Sequence, residues 1–234
     1  MGTREETAAR EDLCVARVPL FQGLTHEEQL EVAGVARPTR VGRDELLYAA
    51  GSAASQLMVV HTGRVKISRV SADGHEQIVR VLAPGDFVGE SAFLTGARPD
   101  HVATALEPGS MCVFRHADLG RLVQEHPSIG LRMLQGVSRR LDETEARMAS
   151  LISGDVSSRL AGYLMSLPAA YGADGPTVTL PLPKKDVASL LDTTPESLSR
   201  QLRRLSDSGV IVQHARRRIT IADLDALTQL AAPA

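Results

Sequence analysis

The sequence predicts an α+β protein in which a roll of short antiparallel strands precedes a long helix and a C-terminal helix-turn-helix. Three observations carry this. Glycines at positions 51, 63, 74, 85, 96 and 109 recur every 11 to 13 residues through a β-rich stretch. An apolar stripe after Pro127 advances in steps of three and four. Near the C-terminus two short amphipathic patterns are separated by a turn and followed by "VIVQHARRRITI". The chain of 234 residues suits two small domains better than one. The expected division is a roll within 1–125 behind a disordered N-terminal tail, a dimerisation helix at 126–153, and a DNA-binding part at 154–234.

Each element has its own signal. "LTHEEQLEVAGVA" (24–36) reads as a helix, with Thr25 at the N-cap and Glu28 completing a capping box. The strand signals are "QLMVVHTG", "RVKISRV", "EQIVRVL", "HVATALE" and "MCVFRH", with an Asp73-Gly74 hairpin turn after the second. In the long helix Leu134, Val137, Leu141, Thr144, Met148 and Leu151 form an a/d seam flanked by Arg139, Arg140, Asp142, Glu143, Glu145 and Arg147. So narrow a stripe suits pairing with a second copy of the same helix, the alternative being packing on the chain's own roll. Gly154-Asp155 marks a hinge and "YGADGPT" (171–177) a loop.

Composition narrows the function classes. There is no tryptophan and there are only seven Phe and Tyr, so the core must be aliphatic. The apolar runs are too short to span a bilayer, and "MGTREETAAREDL" lacks the hydrophobic region of a signal peptide. A soluble cytoplasmic protein with no membrane partner is expected. Residues 1–125 hold 17 acidic and 13 basic side chains, whereas residues 184–218 hold 8 basic and 4 acidic. That local excess points to a polyanion at the C-terminal part, against the plainer reading of a solvated charged face. No GxSxG, HExxH, P-loop or dinucleotide fingerprint is present, so an enzyme is not expected.

The stretch "TTPESLSRQLRRL" (193–205) carries the sharpest chemistry. Thr194 suits an N-cap and Pro195 the first helical position. Leu198, Leu202 and Leu205 then share a buried face, while Glu196, Ser199, Arg200 and Arg203 share another. With "KKDVASLLDTT" before it, the segment has the spacing of a helix-turn-helix whose second helix enters the major groove of double-stranded DNA. Arg200 can pair bidentately with guanine, Glu196 can accept from a cytosine amino group, and Ser199 can bond to either kind of edge. Lys184, Lys185, Arg203 and the run Arg216, Arg217, Arg218 are placed to hold phosphates. The alternative is a surface helix with an i,i+4 pair between Glu196 and Arg200.

Roll, long helix and winged helix-turn-helix, in that order, resemble the Crp/Fnr family of bacterial transcription regulators. The best-matched segments are "VPLFQGLT", "GRVKI", "LAPGDFVGE", the helix pair at 184–205 and "RRITIADLDAL". The resemblance implies a cyclic-nucleotide-binding-like roll, a homodimer, and RNA polymerase as a further partner. Glu196, Ser199 and Arg200 in "PESLSR" resemble the Fnr-like pattern, which implies a TTGAT…ATCAA palindrome.

The sensory half is less determined. Gly89-Glu90 match the pair that meets the ribose in cyclic-nucleotide-binding members, and Arg98 lies near the phosphate-binding position of such a ligand pocket. Arg98 is followed by Pro99 and Asp100 rather than by serine, and an aspartate opposes a phosphate, so cAMP is disfavoured. Cys14 and Cys112 fall at sensory positions of the family, which implies a two-cysteine redox switch. Such a link would close a loop of about 100 residues and contribute about 4–5 kcal/mol. Inert thiols are the alternative. No cofactor is fixed: two cysteines cannot supply the four thiolates of an Fnr iron–sulfur cluster, which leaves a cluster completed by Asp12 or His116. Haem, with His61, His75, His101 and His116 in the roll half, stays open as well.

Overall fold

A computed structural model describes residues 15, 18–53, 56–71, 74, 76–153, 155–172 and 175–231, without the side chains of 149–153. It forms two compact units, Met1–Arg139 and Arg140–Ala234.

The first unit opens with a 3-10 turn at Pro19–Phe21 and helix α1 (His26–Val35). The capping box of α1 is closed on both sides: the Glu28 N–H donates to Thr25 Oγ1, and the Thr25 N–H donates to the Glu28 carboxylate at 2.6 Å. Strands β1 (Arg37–Val41), β2 (Leu46–Tyr48), β3 (Gln56–Thr62), β4 (Val65–Val70), β5 (Glu76–Leu82) and β6 (Phe87–Val88) follow. Helix α2 (Glu90–Thr95) then precedes β7 (Val102–Ala105) and β8 (Gly109–Arg115). They make two antiparallel sheets, ordered β1-β8-β3-β6 and β2-β7-β4-β5. The five strand signals become β3, β4, β5, β7 and β8. The short β1 leaves four of its five residues exposed, so it lacks the one-sided alternation that marks a strand in sequence. Gly74 turns the β4–β5 hairpin at φ 82°; Asp73 lies outside the described residues.

Aliphatic side chains fill the roll. Val65, Ile67, Leu82, Ala103 and Met111 belong to one cluster. Phe21, Leu57, Phe114, Leu119, Leu122, Ile129 and Met133 belong to another, formed with helix α3 (His116–Glu125) and the start of helix α4 (Pro127–Ser153). Ile129 and Met133 are buried, and Gly136 sits where a Cβ would lie 2.9 Å from the Phe87 ring. Thus α4 has a roll-facing stripe besides the predicted seam. The two units part within this helix.

The second unit continues α4 and adds α5 (Val156–Ser166), β9 (Ala169–Gly172), β10 (Gly175–Thr179), α6 (Lys184–Leu190), α7 (Pro195–Asp207), β11 (Ile211–Gln213), β12 (Arg218–Ile221) and α8 (Leu224–Ala231). Asp155, expected in a hinge, caps α5 by accepting from the Ser158 N–H at 2.8 Å; Gly154 lies outside the described residues. The expected loop 171–177 is instead the close of a strand pair, with Gly172 opposite Gly175 and Tyr171 opposite Pro176. Residues 173 and 174 lie outside the described residues, and the pairing of β9 with β10 carries strand order into both flanks of the expected loop. No helix among the described residues is long and apolar enough to cross a membrane.

Candidate nucleic-acid interface

Helix α7 begins as its sequence dictates. The Ser197 N–H donates to Thr194 Oγ1 at 3.2 Å, and Pro195 occupies the first turn, where its missing N–H costs nothing. Leu198, Leu202 and Leu205 are buried. Glu196, Ser199, Arg200 and Arg203 are exposed along the other face. Ser199 Oγ donates to the Pro195 carbonyl at 2.7 Å, which leaves its oxygen lone pairs able to accept. Among the described residues no ion pair joins Glu196 to Arg200, so the helical charge-pair alternative is not formed. The three groups therefore present an acceptor, a hydroxyl and a planar double donor to an outside partner, the set that reads base edges.

Cations flank that face in sequence. Lys184 and Lys185 are exposed in the first turn of α6. Arg216, Arg217 and Arg218 are exposed at the tip of the β11–β12 hairpin. The Arg218 N–H donates to the Ala215 carbonyl, and Arg216 and Arg217 adopt φ of 59° and 64°. Two successive left-handed non-glycine residues cost on the order of 1–2 kcal/mol each, where Asn-Gly would be relaxed. The tip thus holds guanidinium groups in place of the residues that suit its backbone. Arg217 Nη1 reaches the Pro181 carbonyl at 3.5 Å.

On α4 the seam is uncovered in the single chain. Leu134 is 63% exposed, and Leu141 and Met148 are each 57% exposed. Val137 is half-buried, and Thr144 is exposed with its hydroxyl donating to the Arg140 carbonyl at 2.7 Å. The Leu151 side chain lies outside the described residues.

The first unit contains a cavity of about 260 Å³ lined by Tyr48, Gly89, Glu90, Arg98, Asp100 and His101 among others. Gly89 has φ 97°, and a Cβ there would lie 2.2 Å from the Gln56 carbonyl oxygen, so the backbone alone demands glycine. Arg98 Nη1 donates to the Gly51 carbonyl at 3.3 Å. Asp100 pairs with Arg69 and accepts from His101 Nδ1 at 3.0 Å, leaving His101 Nε2 to accept from the Tyr48 hydroxyl at 2.8 Å. The His101 bond, helped by Arg69, holds the Asp100 carboxyl below the usual carboxylate range. A fixed negative charge in the wall does not suit a cyclic phosphate. The sequence marked Asp100 as wrong for phosphate but carried no sign that its neighbour His101 and Arg69 of β4 would hold it, or that Tyr48 of β2 would hold His101 in turn.

Cys112 is buried on β8, opposite Pro38 on β1 and Val59 on β3, and is held in a disulfide. The other cysteine of the chain, Cys14, lies outside the described residues. A sulfur in a disulfide is not a thiolate ligand, so Cys112 does not suit a cluster in this state. The His116 ring packs edge-on against Phe93 at 5.4 Å, and burial pushes its pKa below the ordinary 6.5. Asp12 and His75 lie outside the described residues.

Two family models match the chain: the cyclic nucleotide-binding domain over residues 38–126 and the Crp-like helix-turn-helix domain over residues 158–230. Together with the fold they define a DNA-binding regulator that joins a nucleotide-binding-type roll to a helix-turn-helix. The chain is 32% identical over 198 residues, covering 85% of this chain and 89% of the relative, to a probable transcriptional regulator flp of Lacticaseibacillus casei. It belongs to the Crp/Fnr family of transcription regulators. A CRP-like cAMP-activated global transcriptional regulator of Mycobacterium tuberculosis is 28% identical over 204 residues, covering 86% of this chain and 91% of the relative. A CooA mutant from Carboxydothermus hydrogenoformans shares the fold at a TM-score of 0.76 and 20% identity, covering 85% of this chain and 89% of that one. The Lacticaseibacillus and Mycobacterium relatives are transcriptional regulators rather than enzymes.

Proposed function

We propose that the chain acts as a homodimeric regulator of the Fnr-like subgroup. It reads a TTGAT…ATCAA palindrome with two copies of α7 and responds to redox or oxygen through Cys14 and Cys112. The observation that carries this is the exposed set Glu196, Ser199 and Arg200, in which the carboxylate and the guanidinium have no partner among the described residues and the Ser199 hydroxyl keeps its lone pairs. The uncovered stripe of Leu134, Leu141 and Met148 supports pairing with a second copy. A twofold dimer would place its two reading helices about 34 Å apart, one turn of duplex. Lys184, Lys185, Arg203 and Arg216 to Arg218 supply phosphate contacts, and RNA polymerase is the further partner expected of a family member. The disulfide of Cys112 supports the switch, because in a reducing cytoplasm such a bond is reversible.

The test is anaerobic purification followed by a visible spectrum, iron and sulfide assays, thiol titration and duplex-binding measurements with and without oxidant. A colourless dimer that loses two thiols per chain on oxidation and changes its affinity for the palindrome is the expected result. Unchanged affinity across that oxidation would remove the redox reading. The cavity beside Gly89, Glu90 and Arg98 favours a second reading, a regulator answering a small ligand with no cysteine chemistry. Calorimetric heat with cAMP or cGMP would select that reading for a cyclic nucleotide.

A further inference from the structure

The C-terminal end of α6 leaves carbonyls that its own turn does not satisfy. The Thr193 N–H donates to the Ala188 carbonyl at 3.0 Å and the Asp192 N–H to the Ser189 carbonyl at 3.2 Å. With Asp192 left-handed at φ 50°, this is the Schellman arrangement, built on aspartate instead of glycine. It leaves the Leu190 and Leu191 carbonyls at the negative end of the helix. Both are taken by arginines from other helices. Arg147 Nη2, from α4, donates to Leu190 O at 2.6 Å. Arg159, from α5, donates through Nε to Leu191 O at 2.9 Å and through Nη2 to Asp192 O at 3.4 Å. Charge-assisted bonds of this kind are about twice as strong as neutral ones.

The position of Arg147 gives the contact a further meaning. It adjoins Met148 of the exposed seam and follows Thr144 by three residues, so seam and clamp share a single turn of α4. Its target is the turn that ends one residue before the Thr194 cap of α7. The guanidinium is half-buried, with Asp192 as an attractive charge beside it. We propose that Arg147 is a positioning residue for DNA reading, tying the end of the seam helix to the turn that launches α7. Packing at Thr144 and Met148 then decides how firmly Glu196, Ser199 and Arg200 are held. The role in reading rests on the assignment of α7 made above.

Two variants test it: Arg147→Met keeps the apolar stem and removes the donors, and Arg147→Lys restores a charged donor. Amide hydrogen exchange is followed in the free full-length chain, and affinity is measured for a TTGAT…ATCAA duplex and a scrambled one. Arg147→Met should raise exchange of the Asp192 and Thr193 amides about tenfold, the scale of one lost charged hydrogen bond. Exchange in α8 should stay unchanged, and Arg147→Lys should recover most of the protection. The matched-to-scrambled affinity ratio should fall several-fold in Arg147→Met with little change on the scrambled duplex. Unchanged exchange at Asp192 and Thr193, or a uniform rise across the whole second unit, would overturn the proposal. A wild-type chain that does not prefer the matched duplex would sink the base-reading assignment instead, and the exchange result would still decide the clamp.

Discussion

The exposed face of α7 and the wall of the roll cavity both gather charge, and they dispose of it in opposite ways. In the cavity Asp100, Arg69, His101 and Tyr48 satisfy one another, and Arg98 is turned onto a backbone carbonyl. On α7 Glu196, Arg200 and Arg203 meet no partner among the described residues. Polar groups that answer each other fix a structure, whereas groups left open in a well-ordered helix await a partner from outside. In this chain the face of α7 keeps its charges open, and the wall of the cavity has closed on itself.

Removing the support beneath the open face should have the largest effect. Leu202 is on the buried face of α7, and Leu202→Ala should lower the stability of the second unit by about 2–5 kcal/mol in urea titrations. Leu134→Glu should place a charge in the seam and shift the chain from dimer to monomer in sedimentation at micromolar concentration, leaving the fold intact. On the cavity side, Asp100→Ala combined with Pro99→Ser should remove the opposing carboxylate and restore a hydroxyl. Calorimetry should then show cAMP binding absent from the wild type; equal heat in both would erase the contrast between the two sites. Arg217→Ala should weaken binding to all duplexes and reduce the log–log salt slope by about one.

The smallest effect concerns pH. Burial lowers the pKa of His116 in the folded chain below its ordinary value of 6.5. The unfolded chain then binds the proton more readily. The associated stability is present above pH 6.5 and is lost as pH falls through that value toward the folded pKa. His116→Gln should flatten that part of the stability profile.

Much of this was legible in the sequence where a signal is local. The Thr25–Glu28 capping box, the Thr194 cap with Pro195, and the leucine spacing of α7 each need only one turn of helix to be read. The five alternating strands were legible for the same reason. Features that depend on distant partners were not. Strand β1 exists through its register with β8, and the ends of β9 and β10 through pairing in a sheet with β12. Ile129, Met133 and Gly136 form a second stripe on α4 that only contact with the roll reveals. Arg147 read as a solvent-facing charge beside the seam, because nothing in its neighbourhood announces the carbonyl of Leu190.

The most direct test is the affinity of wild type and Arg200→Ala for a TTGAT…ATCAA duplex and for a scrambled duplex at the same salt concentration. Loss of about 1–3 kcal/mol on the matched duplex, with little change on the scrambled one, is expected of a guanidinium that reads a base edge. Equal losses on both would show that Arg200 touches only phosphate and would contradict the central claim.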